Sequence, residues 1–187
     1  MNFNLVIGLL VVLCYLDSTL ALDIIPRSEW GAAEYVGTKE TLPNGQSFVI
    51  IHHTAEPYCS TKPDCLAEVR RIQVMHQDKN GWADIGYHFL IGGDGNIYEG
   101  RGWNVVGAHA SGQNLVSIGI SFMGNYNNEK PNAAQISAAN DLLTEAVNRG
   151  QIVSNYTLYG HRQVGSTECP GNNLWAEIIT WPHWKSK

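Results

Sequence analysis

The stretch Ser-Phe-Val-Ile-Ile-His-His-Thr at residues 47–54 joins a short apolar, β-branched run to two adjacent histidines. A run of this length and composition is typical of a buried β-strand. It predicts a strand over residues 47–51 that places His52 and His53 at its carboxyl end. Functional side chains collect at such strand ends in α/β sheets, so this stretch bears on both the fold and the site.

Four further apolar runs predict strands that accompany this one, at residues 87–91, 97–99, 117–122 and 156–159. The sequence Gly-Gly-Asp-Gly-Asn at residues 92–96 separates the first two of them. Glycine and asparagine in this arrangement are a strong hairpin signal. The chain therefore carries one local strand pair and several strands that must pair over longer distances.

Helical patterns lie between these strands. Apolar residues at positions 66, 69, 72 and 75 predict one helix, and a stripe at 136, 139, 143 and 147 predicts another that ends at Gly150. Asn132 is expected to cap the second helix, with Gln135 completing a capping box. A final helix is predicted to start near Asn173. The alternation predicts an α/β fold with a central mixed β-sheet flanked by about three α-helices.

The amino-terminal segment has the features of a secretory signal. Residues 5–16 form an apolar run, and Thr19-Leu20-Ala21 resembles a small-residue cleavage site, although the segment lacks Lys and Arg. The run is too short to span a bilayer, which takes about 20 apolar residues. We expect a signal peptide over residues 1–21 and one domain over residues 22–187, secreted to the extracellular space as a monomer.

The net charge argues against some classes of partner. The chain has a formal charge of −5, whereas nucleic acids and anionic membranes require a basic patch. We therefore expect no nucleic-acid partner. The sequence Asn155-Tyr156-Thr157 is a possible N-glycosylation site in a secreted protein.

The four cysteines are expected to have different roles. Cys14 is removed with the signal peptide, and Cys59 and Cys65 lie six residues apart in a polar loop that an oxidising compartment can close into a disulfide. Cys169 is then left without a partner. It is a metal ligand, a buried structural cysteine or the site of an intermolecular disulfide, and the spacing alone leaves all three open.

A metal site is the hypothesis that accounts for Cys169 and for the histidines together. His161 and Cys169 lie eight positions apart, and a histidine from the strand at residues 47–51 completes a donor set of two imidazoles and one thiolate, which suits zinc in a hydrolase. His52 and His53 point to opposite faces of an extended strand, so only one can be the third ligand. The pattern does not choose between them, and the other packs against the scaffold or supports a ligand.

Several blocks of sequence resemble the peptidoglycan recognition protein family, most of all its short secreted insect type. They are Ile-Ile-His-His-Thr-Ala at 50–55, Gly-Trp-Ala-Asp-Ile-Gly-Tyr-His-Phe-Leu-Ile-Gly-Gly-Asp-Gly at 81–95, Tyr-Glu-Gly-Arg-Gly-Trp at 98–103, Ser-Ile-Gly-Ile-Ser-Phe-Met-Gly-Asn-Tyr at 117–126, Gly-His-Arg at 160–162 and Cys-Pro-Gly at 169–171. Together they span the chain from about residue 24 to residue 184, in the family's order and spacing.

The resemblance implies the type-2 amidase fold and a zinc-dependent N-acetylmuramoyl-L-alanine amidase. Such enzymes cleave the amide between the lactyl group of muramic acid and the first L-alanine of the stem peptide. The family's zinc ligands fall on His52, His161 and Cys169, and its other active-site positions fall on Tyr87 and Thr167. Without the resemblance, Tyr87 would equally suit the core.

The resemblance also implies a groove for bacterial peptidoglycan and muropeptides. The candidate groove residues are His53, Trp82, Gly102, Trp103 and Tyr126. The pair Gly102-Trp103 is assigned to the family position that favours diaminopimelate stem peptides over lysine ones. Arg101 and His109 either reach this groove or belong to the solvated surface.

Two functions in innate immunity follow from the resemblance. A catalytic member degrades peptidoglycan, either to remove immune elicitors or to kill bacteria. A non-catalytic member binds peptidoglycan and signals through a partner, and such members typically lack the cysteine ligand. Cys169 is present, which favours the enzyme.

Overall fold

The computed structural model describes residues 22–187, so the predicted signal peptide and Cys14 lie outside the described residues. The strands are β1 (Ile24–Ile25), β2 (Gln46–His53), β3 (Phe89–Ile91), β4 (Ile97–Glu99), β5 (Ser117–Phe122) and β6 (Ile152–Gly160). They form one mixed sheet in the order β1-β4-β3-β5-β2-β6. The hairpin β3–β4 is antiparallel, as predicted, and the other neighbours are parallel.

Three helices longer than a single turn flank the described sheet, and the predicted α/β class is confirmed. The helices are α1 (Arg27–Trp30), which has a single turn, α2 (Lys62–Val74), α3 (Ala133–Asn148) and α4 (Asn172–Ile178). A π-helical turn over Met75–Lys79 extends α2. Within residues 22–187, no helix has both the length and the apolar composition needed to cross a bilayer.

The predicted cap of α3 is confirmed. Asn132 Oδ1 accepts a hydrogen bond from Gln135 N at 2.9 Å, and Gln135 Oε1 accepts one from Asn132 N at 3.2 Å. The helix buries a wider stripe than predicted, which consists of Ala138, Ala139, Leu142, Leu143 and Ala146. Ile136 and Val147 lie at the margin of this stripe, where they are only partly buried.

Strand boundaries differ from the prediction where the ladder is irregular. β2 runs on through His53 because it pairs with β5 on one side and β6 on the other. β3 begins at Phe89 rather than at residue 87, since the carbonyls of Tyr87 and His88 are taken by backbone N–H groups that follow β4. β6 begins at Ile152, and its register against β2 shifts before Thr157, which indicates a bulge.

Two apolar clusters pack on the sheet, and they fix which way each side chain of β2 points. Val49 and Ile51 belong to the cluster that α3 and α4 cover. Side chains alternate along a strand, so His53 points to that same face and His52 points to the other. The second cluster lies under α2 and includes the disulfide Cys59–Cys65, which confirms the predicted pairing.

Candidate metal centre

Two neighbouring parallel strands bring the first two candidate ligands together. β2 carries His52 at its carboxyl end, and β6 ends at Gly160, directly before His161. Ile51 lies opposite Gly160 in the ladder, so the residues that follow leave the sheet at the same edge. The centroids of the His52 and His161 rings are therefore only 4.5 Å apart.

Cys169 completes the group from the loop that follows β6. This loop folds back because Arg162 N donates to Cys169 O at 2.8 Å and the Arg162 guanidinium donates to Glu168 O. The ligand atoms of His52, His161 and Cys169 all lie within 4.8 Å of one another. The structure thus brings together the three residues that the resemblance implies as ligands, and of the two adjacent histidines it places His52 in this group.

The group fits zinc in both chemistry and spacing. His52 Nδ1 lies 3.7 Å from Cys169 Sγ. A tetrahedral zinc ion with ordinary bond lengths separates such a nitrogen and sulfur by about 3.6 Å. The backbone N–H of His53 points at Cys169 Sγ from 3.4 Å, and a donor in that place favours a thiolate. These residues can hold a four-coordinate metal with one position left for water or substrate.

Burial sets the protonation of the ligands. Burial lowers the pKa of His52 well below its ordinary value, and nearby His109 and His161 lower it further. Burial also lowers the pKa of His161. The pKa of the Cys169 thiol is raised to about 12 by burial, against smaller opposing effects of the His53 backbone and of Arg162. At neutral pH the metal-free group is therefore two neutral imidazoles and a neutral thiol.

His53 belongs to the scaffold of the site. Its Nδ1 accepts a hydrogen bond from Tyr126 N at 3.2 Å on the face opposite His52. Its pKa is lowered to about 4, first by burial and then by Arg162, so the ring is neutral at neutral pH. His53 borders the cavity described next, with its Nδ1 hydrogen-bonded to Tyr126 N and its backbone N–H in contact with Cys169.

A cavity of about 250 Å³ opens over the three candidate ligands. Besides the ligands, its lining residues are His53, Ala55, Trp82, Tyr87, Ala108, His109 and Thr167. The structure therefore gathers most of the predicted site residues around one space. Ala55 and Ala108 were not predicted, because an alanine carries no chemical signal in a sequence.

Tyr87 and Thr167 lie beside the ligands, where the resemblance placed them. The Tyr87 ring centroid is 5.3 Å from that of His52. Burial raises the pKa of the Tyr87 phenol, and the neighbouring Cys169 raises it further, so the phenol stays protonated. Thr167 Oγ1 accepts a hydrogen bond from Cys169 N at 3.1 Å, which ties this hydroxyl to the ligand loop.

The structure corrects the assignment of Gly102 and Trp103 to the groove. Trp103 packs on Phe89, with ring centroids 4.2 Å apart, and borders a different cavity near the amino-terminal strand. Gly102 is buried, and its N–H donates to the His88 carbonyl. The Gly-Trp pair at the site is instead residues 81–82, where Trp82 is 37% exposed and packs at a tilt against His76 of the π-helical turn.

The prediction that Tyr126 lines the groove is also wrong. Tyr126 is fully buried in the cluster beneath α3 and α4. Its hydroxyl accepts a hydrogen bond from Gln135 Nε2 at 2.6 Å and donates one to Met123 O at 3.3 Å. Because both capacities of the phenol are used inside the core, Tyr126 supports the site only through its backbone contact with His53.

The structure separates the two residues that the sequence left open. Arg101 is structural, since its guanidinium donates to the carbonyls of Ile85, Val106 and Asp84. His109 lies in the cavity wall, with its Nδ1 3.0 Å from His52 Nε2. A single histidine after Gly-Ala gives no sequence signal for that contact. Asn155 is exposed on β6, and its glycosylation stays a prediction.

Comparison with known proteins identifies the family. The family described as N-acetylmuramoyl-L-alanine amidase matches residues 43–172, a range that contains all three candidate ligands together with Tyr87 and Thr167. Peptidoglycan-recognition protein SC2 of Drosophila melanogaster is 58% identical over 183 residues, which cover 98% of this chain and 99% of that protein. The chain belongs to the peptidoglycan recognition protein family. The resemblance drawn from the sequence blocks is confirmed.

Other relatives in this family differ in what they are named for. The N-acetylmuramoyl-L-alanine amidase of Mus musculus is 44% identical over 163 residues, covering 86% of this chain and 31% of that protein. A solved structure of peptidoglycan recognition protein LE, in complex with tracheal cytotoxin, is 43% identical with a TM-score of 0.85, covering 87% of this chain and 95% of that one. The tracheal cytotoxin in that complex is a monomeric diaminopimelic acid-type peptidoglycan.

Proposed function

We propose that this chain is a secreted zinc-dependent N-acetylmuramoyl-L-alanine amidase that binds bacterial peptidoglycan in innate immunity. It would hydrolyse the amide between the lactyl group of muramic acid and the L-alanine of the stem peptide. One observation carries the proposal: His52, His161 and Cys169 meet in one cavity of a chain of the amidase family. Secretion is supported by the apolar run at residues 5–16 and the small residues after it.

The side chains around the candidate ligands suit amide hydrolysis. His52, His161 and Cys169 would hold the zinc, which would supply a Lewis acid for activating water and polarising the scissile carbonyl. Tyr87 keeps its proton at neutral pH, so its hydroxyl can donate to the oxygen that gains negative charge in the transition state. Thr167 Oγ1 accepts from Cys169 N, which leaves the hydroxyl hydrogen free to orient the substrate.

Trp82 is the best candidate for substrate contact in the wall of the cavity. It combines a large, partly exposed aromatic face with a fixed position against His76, whose ring centroid lies 4.6 Å away. Flat aromatic faces suit sugar rings and the methylene groups of stem peptides. A preference for diaminopimelate-type muropeptides is supported by the relative bound to tracheal cytotoxin.

A second function, binding without cleavage, is favoured by one feature of the site. The residues that line the cavity in the described part of the chain include no carboxylate, so a general base there would have to be an imidazole, and His109 Nδ1 is already in contact with His52. Several relatives are also named for recognition alone. In that case the protein would capture peptidoglycan and pass the signal to a partner.

Muropeptide hydrolysis separates the two functions. The zinc-loaded protein is incubated with diaminopimelate-type and lysine-type muropeptides, and free stem peptide is measured by mass spectrometry. We expect release by the wild type and none by Cys169→Ser, with peptidoglycan pull-down unchanged in both. Tyr87→Phe is expected to lower kcat about 100-fold, whereas Tyr159→Phe, on β6 beside Phe48, is the matched control. Binding without any release by the wild type would establish the recognition function instead.

A further inference from the structure

We propose that His109 is a positioning residue that holds His52 in the tautomer in which Nδ1 is free to bind the metal. This inference rests on the proposed zinc site. It concerns a residue that the sequence left open between the groove and the solvated surface, and it starts from a direct contact between two buried imidazoles. His52 Nε2 and His109 Nδ1 lie 3.0 Å apart, with the rings nearly perpendicular at 84°.

The position of Cys169 indicates which nitrogen of the His52 ring carries the hydrogen. A neutral imidazole carries one hydrogen, on Nδ1 or on Nε2, and a metal can bind only the bare nitrogen. His52 Nδ1 is the atom beside Cys169 Sγ, at 3.7 Å, so it is the atom that faces the metal position. The hydrogen of His52 must then sit on Nε2, where it donates to His109 Nδ1.

The other side of His109 is consistent with this assignment. If His109 Nδ1 accepts, its own hydrogen sits on Nε2. His109 Nε2 is buried and has no hydrogen-bond partner among residues 22–187. No donor therefore requires Nε2 to act as an acceptor, and this nitrogen can carry the hydrogen while Nδ1 accepts from His52.

The ring of His109 is held too tightly to turn away. A Cβ at Gly119 would lie 2.4 Å from His109 Cγ, and a Cβ at Gly107 would lie 2.6 Å from His109 Cδ2. The two glycines therefore form a slot for the His109 ring that a side chain at either position would close. The backbone on either side is fixed as well, because Asn114 Oδ1 accepts hydrogen bonds from the N–H groups of His109 and Ala110, both at 2.9 Å.

Metal-binding histidines commonly donate their second N–H to a carboxylate, a carbonyl or water, and loss of that acceptor lowers metal affinity about 10- to 100-fold. Here a neutral imidazole serves as the acceptor. Two substitutions separate the acceptor from the bulk of the ring. His109→Asn keeps an oxygen near the position of Nδ1, and His109→Leu has similar size but cannot accept a hydrogen bond.

The first test is nitrogen-15 NMR of the His52 ring in the metal-free wild type at neutral pH, which needs no variant. We expect the hydrogen on Nε2. The second test is zinc affinity, measured by competition with a chromophoric chelator, together with the visible spectrum of the cobalt-substituted protein. His109→Leu should bind zinc about 10- to 100-fold more weakly with an altered cobalt spectrum, and His109→Asn should stay within about threefold of the wild type.

The outcomes distinguish this role from the proposed function. A wild-type His52 protonated on Nδ1, or equal zinc affinities for wild type and His109→Leu, would overturn the role of His109 alone. A wild type that binds no zinc would overturn both the metal site and the role assigned to His109.

Discussion

Zinc binding at the candidate site is expected to release one proton from Cys169. The metal-free thiol has a pKa raised to about 12 by burial, so it is neutral at physiological pH. His52 and His161 have lowered pKa values, so they are already neutral and have no proton to lose. Zinc binds the thiolate, and the thiol hydrogen must therefore leave.

The size of the pH effect on zinc affinity can be worked out because the pKa of the thiol lies far above the working pH. As long as the pH stays below that pKa, each pH unit makes the thiolate tenfold easier to form, which corresponds to about 1.36 kcal/mol. Between about pH 6 and pH 7.5 the apparent zinc affinity should thus rise about 30-fold, or about 2 kcal/mol. Cys169→Ser should bind more weakly, with little dependence on pH, because a serine hydroxyl does not ionise in this range.

Isothermal titration calorimetry measures the proton directly. The zinc titration is repeated in buffers of different ionisation enthalpy, and the slope of the observed heat against that enthalpy gives the number of protons released. A count near one at about pH 6.5 is expected. A count near zero for the wild type, or the same count for wild type and Cys169→Ser, would show that the thiol is not the ligand.

Three further perturbations test the scaffold of the site. Gly119→Ala should lower the free energy of unfolding by about 1–3 kcal/mol, since its Cβ would overlap the His109 ring. The same free energy for the variant and the wild type in urea unfolding would contradict the tight packing of that ring. Loss of the Cys59–Cys65 bond in the double serine variant should cost about 2 kcal/mol by loop entropy, seen as a lower Tm. Burial lowers the pKa of His88 to about 3, so its stabilisation is present above about pH 6.5 and falls by about 2 kcal/mol at about pH 5. Equal unfolding free energies at the two pH values would refute that.

Much of the fold could be predicted because its signals are local. The run at residues 47–51, the glycine-rich hairpin and the box between Asn132 and Gln135 each depend on neighbours within a few positions, and the structure confirms them. The irregular ends were harder. The backbone of Tyr87 bonds to the chain after β4 rather than continuing the ladder, and no pattern within residues 87–91 encodes that distant partner.

The wrong predictions at the site concern aromatic residues whose side chains suit a binding groove and the protein core equally well. Trp82 and Trp103 both follow glycine, but only the first reaches the cavity, because the second packs on Phe89. Tyr126 has a hydroxyl that suits a groove, yet Gln135 satisfies it inside the core. In each case the outcome depends on one particular partner from another element of the fold, which composition and periodicity do not specify.

The choice between His52 and His53 shows how the sheet determines the chemistry. β2 pairs with β5 and β6 at once, and its side chains are buried on both faces, so its register is fixed from two sides. A slip of one residue would move His53 to the metal position and drive the apolar residues of the strand onto the wrong faces. The stability of the core therefore keeps His52 beside His161. The same register points the backbone N–H of His53 at Cys169 Sγ, so the neighbouring histidine contributes through its main chain. The strand at residues 47–54 thus positions one candidate ligand by its side chain and contacts a second through its backbone.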